Sequence, residues 1–316
     1  MSANDRLDVR APVPPGQVLL RDVGPRDGVQ AITQHVDTDT KVAMVVGLAG
    51  AGVRRIEVGS FVSPKAVPRM ADSADVFAAT DLIEGVLREA LVVNERGAHA
   101  AIAAGADVLV GVVSVSETFS QRNVRMSTAE AVEQLRSIVE IAADADVPVS
   151  VDVSTSFGCA FEGPIQPAAV AAVAAELASI GVFEIVVADT IGAAAPRDVR
   201  AVVGAIRERT GEQLELGLHL HDTRGLALAN AMAGLDLGVR RFDSSLGGLG
   251  GCPFSPGATG NVCTEDLVHL FHAEQFDTGI ELDALVTTAR ATQSRLGVEL
   301  PSRMLRAGPR FSRLAV

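Results

Sequence analysis

The sequence predicts a (β/α)8 TIM barrel with an extra C-terminal helical segment, and two features of the chain lead to this fold class. Eight short runs rich in β-branched residues alternate with alanine-rich helical stretches, the pattern of a parallel sheet built from repeated strand and helix units. The chain has 316 residues, of which 48% are hydrophobic, enough to bury the core of one barrel-sized domain. Eight units favour closure into a barrel over an open sheet.

The predicted strands are residues 17–23, 54–58, 90–93, 108–113, 147–153, 184–188, 215–218 and 241–244. Between them, residues 127–143 are predicted as a helix, because Ser127 and Glu130 have the spacing of a capping box. Pro164, Pro167 and Pro196 stand early in two other helical stretches, where a missing N–H costs little. Residues 282–296 form one extra predicted helix. We therefore expect a flexible leader (1–16), a catalytic barrel (17–275) and a C-terminal helix and tail packing on the barrel (276–316).

The charge balance and the cysteine content limit the possible partners and compartments. Lysine and arginine total 27 against 39 acidic residues, giving a formal charge of −12 that repels phosphate backbones, so no nucleic-acid partner is expected. No bilayer-length stretch lacks charge, and the first residues do not resemble a secretory signal. Three widely spaced cysteines do not suggest a disulfide framework. We expect a cytoplasmic protein without membrane association, for which a homo-oligomer is one possible state.

A candidate metal site lies at the predicted strand ends. His219 and His221 are separated by one residue, so both imidazoles point to the same face of an extended strand. A lone histidine in such a strand is more often a core residue, but the pair at a strand end favours metal binding. Barrel closure brings Asp27 beside them, although segment 25–28 also suits a β-turn. Asn261 can supply an amide oxygen as a ligand, or it can simply cap the start of a helix. These donors suit Mg²⁺ or Mn²⁺, whereas structural zinc would favour thiolates.

The segment that follows the eighth predicted strand is rich in glycine. Residues 247–253, GGLGGCP, contain too many glycines for a regular element, so we predict a mobile loop whose backbone can approach a ligand closely. A dinucleotide-binding loop would need a different glycine spacing and a following helix. Cys252 is then either an incidental thiol or an acid–base group delivered by loop closure.

Five blocks of the sequence resemble one known family. The blocks are GPRDGVQ (24–30), SFVSPK (60–65), HLHDTRGLALAN (219–230), GGLGGCP (247–253) and GATGNVCTED (257–266). They are similar to the signature blocks of the 3-hydroxy-3-methylglutaryl-CoA (HMG-CoA) lyases, within the DRE-TIM metallolyase superfamily. The resemblance extends from about residue 18 to residue 296. The glycine loop with its cysteine looks like that of the lyases rather than that of the condensing synthases.

The resemblance implies a metal centre, a catalytic set and an acyl-CoA substrate. The implied ligands of a divalent ion, Mg²⁺ or Mn²⁺, are Asp27, His219, His221 and Asn261. The implied catalytic residues are Arg26, Glu57, Asp189, His219 and Cys252. The matching residues near the third and fourth strand ends are candidates for substrate binding, namely Asn94, Ser114, Ser116, Glu117 and Asn123.

The implied activity is cleavage of HMG-CoA, or of a close 3-hydroxyacyl-CoA, to acetyl-CoA and a keto acid such as acetoacetate. The tertiary alcohol must lose its proton while the bond between C2 and C3 breaks, and the thioester enolate must be stabilised and protonated. We expect Arg26 to stabilise the enolate oxygen and Asp189 to act as the base. Cys252 is then the donor to the enolate carbon, and Glu57 orients Arg26 or a ligand.

Three departures from the family pattern leave the acyl group open. Residues 31–33 are Ala-Ile-Thr where the family commonly has Asn-Glu-Lys, and Ala160 and Phe161 replace a common Pro and Tyr. Asp152 stands where an aromatic residue is usual. The alternatives are a lyase for another 3-hydroxyacyl-CoA, such as citramalyl-CoA, and a non-catalytic barrel that only binds a metal or a CoA ester. Metal-dependent turnover distinguishes the non-catalytic barrel from the lyases, and a panel of 3-hydroxyacyl-CoA esters distinguishes the substrates.

Overall fold

The computed structural model describes residues 7–251, 260–308 and 310–311, and its parallel strands close into a barrel in chain order. Closure is made by pairing of the first strand with the eighth, from Leu19 opposite Arg241 to Asp22 opposite Ser244. The predicted barrel is confirmed. The strands are β1 (Leu19–Asp22), β2 (Arg55–Ser60), β3 (Leu87–Leu91), β4 (Val108–Ser114), β5 (Val149–Ser154), β6 (Glu184–Asp189), β7 (Glu215–Leu220) and β8 (Arg241–Ser244).

The helices surround the barrel. They are α1 (Thr38–Gly50), α2 (Ser73–Ala79), α3 (Glu95–Ala103), α4 (Glu117–Asn123), α5 (Thr128–Asp144), α6 (Pro167–Ser179), α7 (Pro196–Thr210), α8 (Ala227–Asp236), α9 (Thr264–Ala273), α10 (Leu282–Leu296) and α11 (Arg303–Ala307). The predicted capping box is present at α5, where Ser127 Oγ accepts from Glu130 N at 3.1 Å and Glu130 Oε2 accepts from Ser127 N at 2.7 Å. Among the described residues, no helix is both long and apolar enough to span a membrane.

Strand β3 begins three residues before its predicted start. Its first half, Leu87 to Glu89, contains two charged residues, so an apolar pattern does not reveal it. Glu89 points into the barrel, where its Oε1 accepts from Arg55 Nε at 2.5 Å, whereas Arg88 points outward and donates to the carbonyl of Phe77 at 3.0 Å. The strand therefore keeps the two-residue alternation of side chains, with ion pairing in place of apolar burial.

The described part of the predicted leader contacts the N-terminal end of the barrel. In its described part, residues 7–16, Val9 is buried and packs with Leu87 and Val108 at the N-terminal end of the barrel. Buried Arg241 on β8 donates through Nη2 to the carbonyls of Val9 and Ala11, at 2.9 and 2.8 Å. These bonds go to backbone atoms, which a sequence pattern does not show. The segment closes the barrel end opposite the strand ends that carry the predicted site.

Helices α10 and α11 complete the described chain on the outside of the barrel. Helix α10 has the bounds predicted from the sequence and crosses α1 where Thr288 Oγ1 donates to the carbonyl of Gly47 at 3.3 Å. The start of α11 is held by Asp266, which accepts from Ser302 Oγ and from the backbone N–H of Arg303, at 3.2 and 3.1 Å. This part of the chain therefore packs on the barrel.

The inside of the barrel holds a network of ion pairs. Arg55 donates to Glu89 and also to Glu184, with Nη2 lying 2.6 Å from Glu184 Oε2. Arg21 donates to Asp243 through Nε at 2.8 Å and Nη2 at 2.5 Å, and its side chain is 1% exposed. Buried charges of this kind require partners, because an unpaired one would be strongly destabilising. The network extends from the first residues of β2 and β6, Arg55 and Glu184, toward Asp243 in the C-terminal half of β8.

Candidate active site

A cavity of about 870 Å³ opens at the C-terminal end of the barrel, where the active sites of this architecture are found. Its floor is formed by inward side chains of β3 to β6, which are Leu91, Val112, Asp152, Ser154 and Ala188. Arg26, Asp27, His219 and His221 line the side formed by the residues after β1 and by the end of β7. The predicted site residues therefore surround a space large enough for a small-molecule ligand.

Asp27, His219 and His221 form a compact cluster. Their candidate ligand atoms all lie within 4.8 Å of one another. Asp27 belongs to the wide helical turn Gly24–Gly28 that follows β1, and the histidines are at the end of β7. Asn261 forms an isolated bridge with His221 and donates through Nδ2 to Asp27 Oδ2 at 2.8 Å. The structure thus places all four predicted metal-binding residues together.

Atoms of this cluster fit a divalent cation. Asn261 Oδ1 and His221 Nδ1 are buried and have no hydrogen-bond partner in the described part of the chain, which leaves acceptor lone pairs to be satisfied. Burial, together with nearby His219, lowers the pKa of His221 to about 4. Burial alone would raise the pKa of Asp27, but Arg26 and His219 hold it below its ordinary value. Both groups are therefore unprotonated at neutral pH, as metal ligands must be.

His219 has a carboxylate partner that the sequence did not reveal. Its Nδ1 lies 3.1 Å from Asp243 Oδ2, and Arg21 holds both oxygens of the same carboxylate. Although burial opposes ionisation, Arg21 and His219 keep the pKa of Asp243 well below its ordinary value. Burial by itself would lower the pKa of His219, but the bond to Asp243 raises it. Such a partner fixes the imidazole with Nδ1 protonated and Nε2 available to a ligand.

Arg26 and Glu57 form a second unit beside the cluster. Arg26 Nη2 lies 2.7 Å from Glu57 Oε2, and Arg26 Nη1 donates to Asp27 Oδ1 at 2.8 Å. Glu57 is fully buried on β2, while Arg26 lines the cavity. Burial raises the pKa of Glu57 to about 7, although Arg26 opposes that shift. The guanidinium is thus fixed at two points, with Glu57 behind it and Asp27 at its side.

Asp189 occupies the end of β6 but is not among the residues that line the cavity. It is 1% exposed, and its oxygens accept from the backbone N–H groups of Ala193 at 2.8 Å and Ala194 at 3.0 Å. Burial raises its pKa, although the two backbone bonds oppose that shift. In this structure the carboxylate holds the loop after β6, so its role as the base stays a prediction.

The predicted substrate-binding residues fall into two groups. Asn94 and Asn123 line the cavity. Ser116 is fully buried, and its Oγ caps α4 by accepting from Phe119 N at 3.1 Å, so it supports the wall of the cavity without lining it. Cys252 lies outside the described residues.

Sequence reasoning did not assign three basic residues at the mouth of the cavity, Lys65, Arg122 and Arg125. They follow β2 and β4, so their position just after predicted strand ends was the available signal. Arg125 has a φ of 60°, which is uncommon for a residue other than glycine. The described lining of the cavity thus combines acidic groups near its floor with basic groups at its mouth.

The chain is similar to proteins of one known family. The model of the HMGL-like family matches residues 17–291. The chain belongs to the HMGL-like family. A relative of this family, the hydroxymethylglutaryl-CoA lyase of Pseudomonas mevalonii, is 42% identical over 286 residues, which cover 90% of this chain and 95% of that protein. The (R)-citramalyl-CoA lyase of Chloroflexus aurantiacus is 39% identical over 303 residues, covering 92% and 95%.

A solved structure extends the likeness to the whole fold. An HMG-CoA lyase of Acinetobacter baumannii, in complex with coenzyme A and 3-methylmalate, superposes with a TM-score of 0.90 at 37% identity and covers 100% of both chains. These matches confirm the family that the sequence blocks indicate and the enzyme class expected from it. The chain is a carbon–carbon lyase of the HMGL-like family, with a candidate divalent-metal site at Asp27, His219 and His221.

Proposed function

We propose that this chain is an Mg²⁺- or Mn²⁺-dependent lyase that cleaves HMG-CoA, or a close 3-hydroxyacyl-CoA, to acetyl-CoA and a keto acid such as acetoacetate. The observation that carries the proposal is the Asp27–His219–His221 cluster placed beside Arg26, on one side of a single cavity. The 42% identity with a hydroxymethylglutaryl-CoA lyase over 90% of the chain supports the choice of substrate.

The proposed metal ligands are Asp27, His219, His221 and Asn261. Two nitrogen and two oxygen donors with no thiolate suit Mg²⁺ or Mn²⁺ better than a structural zinc ion. When bound, a divalent cation would supply Lewis-acid activation of the substrate's tertiary alcohol. Asp243 positions His219 for ligation, because it fixes the proton on Nδ1 and leaves Nε2 free.

The remaining residues act on the charge that develops in the substrate. Arg26 faces the cavity with a fixed positive charge, so it stabilises the enolate oxygen that forms as the bond between C2 and C3 breaks. Glu57 keeps the guanidinium in place from behind. We retain two roles from the family resemblance: Asp189 acts as the base, and Cys252 donates the proton to the enolate carbon.

The mouth of the cavity suits the phosphates of a CoA ester. Lys65, Arg122 and Arg125 line it together with Asn94 and Asn123. Lysine and arginine side chains bind phosphate oxygens by charge-assisted hydrogen bonds, and amides add neutral donors. We therefore place the CoA moiety at the mouth and the acyl group toward the floor.

Metal-dependent turnover tests the proposal. Purified protein is treated with a chelator, dialysed and assayed for acetyl-CoA release from HMG-CoA and citramalyl-CoA, with and without added Mg²⁺ or Mn²⁺. We expect release only with metal, and we expect Asp27→Ala and His221→Ala to lose both metal binding and release while keeping the melting temperature within a few degrees. The matched control is His272→Ala, which removes an imidazole that bonds Thr278 on the outside of the barrel. Normal turnover in both site variants would refute the assigned metal site, and absence of turnover with every ester would leave only a binding function.

A further inference from the structure

The cavity floor contains an acidic residue that the proposed mechanism does not use. Asp152 points inward from β5 and lines the cavity, although the residue is only 8% exposed. The other carboxylate in the described lining is that of Asp27, which belongs to the candidate metal cluster. Asp152 is therefore a second acid at the closed end of the substrate space, outside the proposed ligand set but within electrostatic range of His219 and Arg26.

One oxygen of Asp152 is fixed and the other is open to the cavity. Arg21 Nη2 donates to Asp152 Oδ1 at 2.6 Å, and the same nitrogen donates to Asp243 Oδ2 at 2.5 Å. No further donor in the described residues reaches the Asp152 carboxylate, and its atoms are not among the buried polar atoms without a partner. Oδ2 is thus both accessible and unpartnered. Because Arg21 is 1% exposed and tied to Asp243 as well, the carboxylate cannot easily turn away.

The neighbours of Asp152 on the floor do not satisfy this oxygen. Leu91, Val112 and Ala188 are apolar, and Ser154 donates its hydroxyl to the carbonyl of Val113 at 3.0 Å. A substrate group that fills this end of the cavity removes water from Oδ2. A methyl group there would leave a carboxylate oxygen without a partner, whereas a hydroxyl would form a short charge-assisted hydrogen bond. Sites that bind a substrate hydroxyl discriminate strongly against the analogue that lacks it.

We propose that Asp152 is a specificity-determining residue. It selects 3-hydroxyacyl-CoA esters in which the carbon substituent at C3 is hydroxylated, as in a hydroxymethyl group, over esters in which that substituent is a plain methyl group. This inference rests on the proposed lyase function. In the cleavage, the bond between C2 and C3 breaks, the tertiary alcohol loses its proton and becomes the ketone, and C2 gains one proton. The additional hydroxyl is unchanged, so the products are acetyl-CoA and a hydroxylated keto acid. Arg21 acts through Asp152 and is a positioning residue.

The test compares two esters that differ by one oxygen atom, HMG-CoA and its 3-hydroxymethyl analogue, in the metal-loaded enzyme. We expect the parent enzyme to show a kcat/KM about tenfold or more higher for the hydroxymethyl ester. Asp152→Leu should reverse that ratio, and Asp152→Asn, which keeps an acceptor for Arg21, should reduce it. The matched control is Asp146→Asn, the same chemical change at a surface carboxylate whose side chain is 91% exposed, and it should leave the ratio unchanged.

Binding provides a second readout that does not depend on turnover. The 3-methylglutaryl and 3-(hydroxymethyl)glutaryl esters of CoA lack the tertiary alcohol and cannot be cleaved, so calorimetry gives their dissociation constants directly. The parent should bind the hydroxymethyl ester about tenfold more tightly, and Asp152→Leu should lose that preference. Equal binding of both esters by the parent, or a parallel fall of kcat for both substrates in Asp152→Asn with an unchanged ratio, would overturn the inference. If no ester is cleaved, the proposed function fails, and the calorimetric ratio still decides the role of Asp152.

Discussion

Replacing Asp243 with asparagine should weaken metal binding by changing the protonation of His219. In the parent, ionised Asp243 accepts from Nδ1 of His219 at 3.1 Å and from Arg21 at 2.5 and 2.8 Å. Asparagine keeps one acceptor, which Arg21 can use, and its amide N–H₂ then faces the imidazole. His219 is driven to accept at Nδ1 and to carry its proton on Nε2, the nitrogen needed for ligation.

The size of the effect follows from the nature of this bond. It joins a carboxylate to an imidazole whose side chains are 4% and 11% exposed, and hydrogen bonds to charged groups contribute roughly 1.5–3 kcal/mol. Since about 1.4 kcal/mol is a factor of ten in an equilibrium constant, we expect the affinity for the metal to fall by about 10- to 100-fold. The measurement is titration calorimetry of the metal-free protein with Mn²⁺, together with Mn²⁺ electron paramagnetic resonance.

The matched control for Asp243→Asn is Glu215→Gln. It makes the same acid-to-amide change in the same ion network, but Glu215 contacts Arg241 at 3.1 Å on the edge of the barrel interior and makes no contact with His219. We expect both variants to lose some thermal stability and only Asp243→Asn to lose metal affinity. If Asp243→Asn binds Mn²⁺ as tightly as the parent, the carboxylate does not set the protonation of His219 and the reasoning fails.

Three further predictions concern charge, pH and the thiol. Arg26→Lys should lower kcat by about 100-fold or more with little change in metal affinity, because one ammonium cannot contact both Asp27 and Glu57. Steady-state kinetics with metal titration measures both quantities, and an unchanged kcat would contradict the prediction. Burial raises the pKa of Glu265 to about 8, so between about pH 4.5 and 8 the unfolded chain ionises this group while the folded chain keeps its proton. The free energy of unfolding therefore falls over this range, by roughly 5 kcal/mol at most. Glu265→Gln should flatten that fall in urea titrations, and identical pH profiles would count against it. Cys252→Ser should keep metal and substrate binding yet lose most turnover, since a hydroxyl is a much weaker acid than a thiol. If the variant turns over at the parent rate, with chemistry shown to be rate-limiting, the thiol is not the proton donor.

The strands and the metal cluster could be predicted because each depends on a local pattern. Apolar runs predicted seven of the strands to within two residues at each end, and the spacing of His219 and His221 required only that an extended strand alternates its faces. The early start of β3 was hidden because Glu89 and Arg88 look like surface residues in a sequence. Glu89 pairs with Arg55, 34 residues away, and Arg88 donates to the carbonyl of Phe77, 11 residues away. Neither contact is visible in the local sequence pattern.

The pairing of Asp243 with Arg21, which holds the partner of His219 in place, could not be predicted for the same reason. Asp243 and Arg21 are separated by 222 residues, and their contact exists only because β8 pairs with β1. Asp189 lies at a strand end as predicted, and its carboxylate accepts from the backbone of the following loop, a contact that the strand pattern does not show. Position along a strand is therefore predictable, whereas the direction of a side chain at the strand end depends on the conformation of the loop that follows.

The hydrogen bonds from Arg241 to the N-terminal segment have a consequence for biosynthesis. Ala11 and Arg241 are 230 residues apart, so at the usual rates of translation the segment waits on the order of tens of seconds for its partner to be made. Strand β1 waits equally long for β8, and during that time its outer edge exposes backbone groups that can pair with another nascent chain. The slow step in producing this protein is thus expected to be the joining of its two ends, and yield in a cellular or cell-free system should respond to chaperones that shield the first strand until the eighth has emerged.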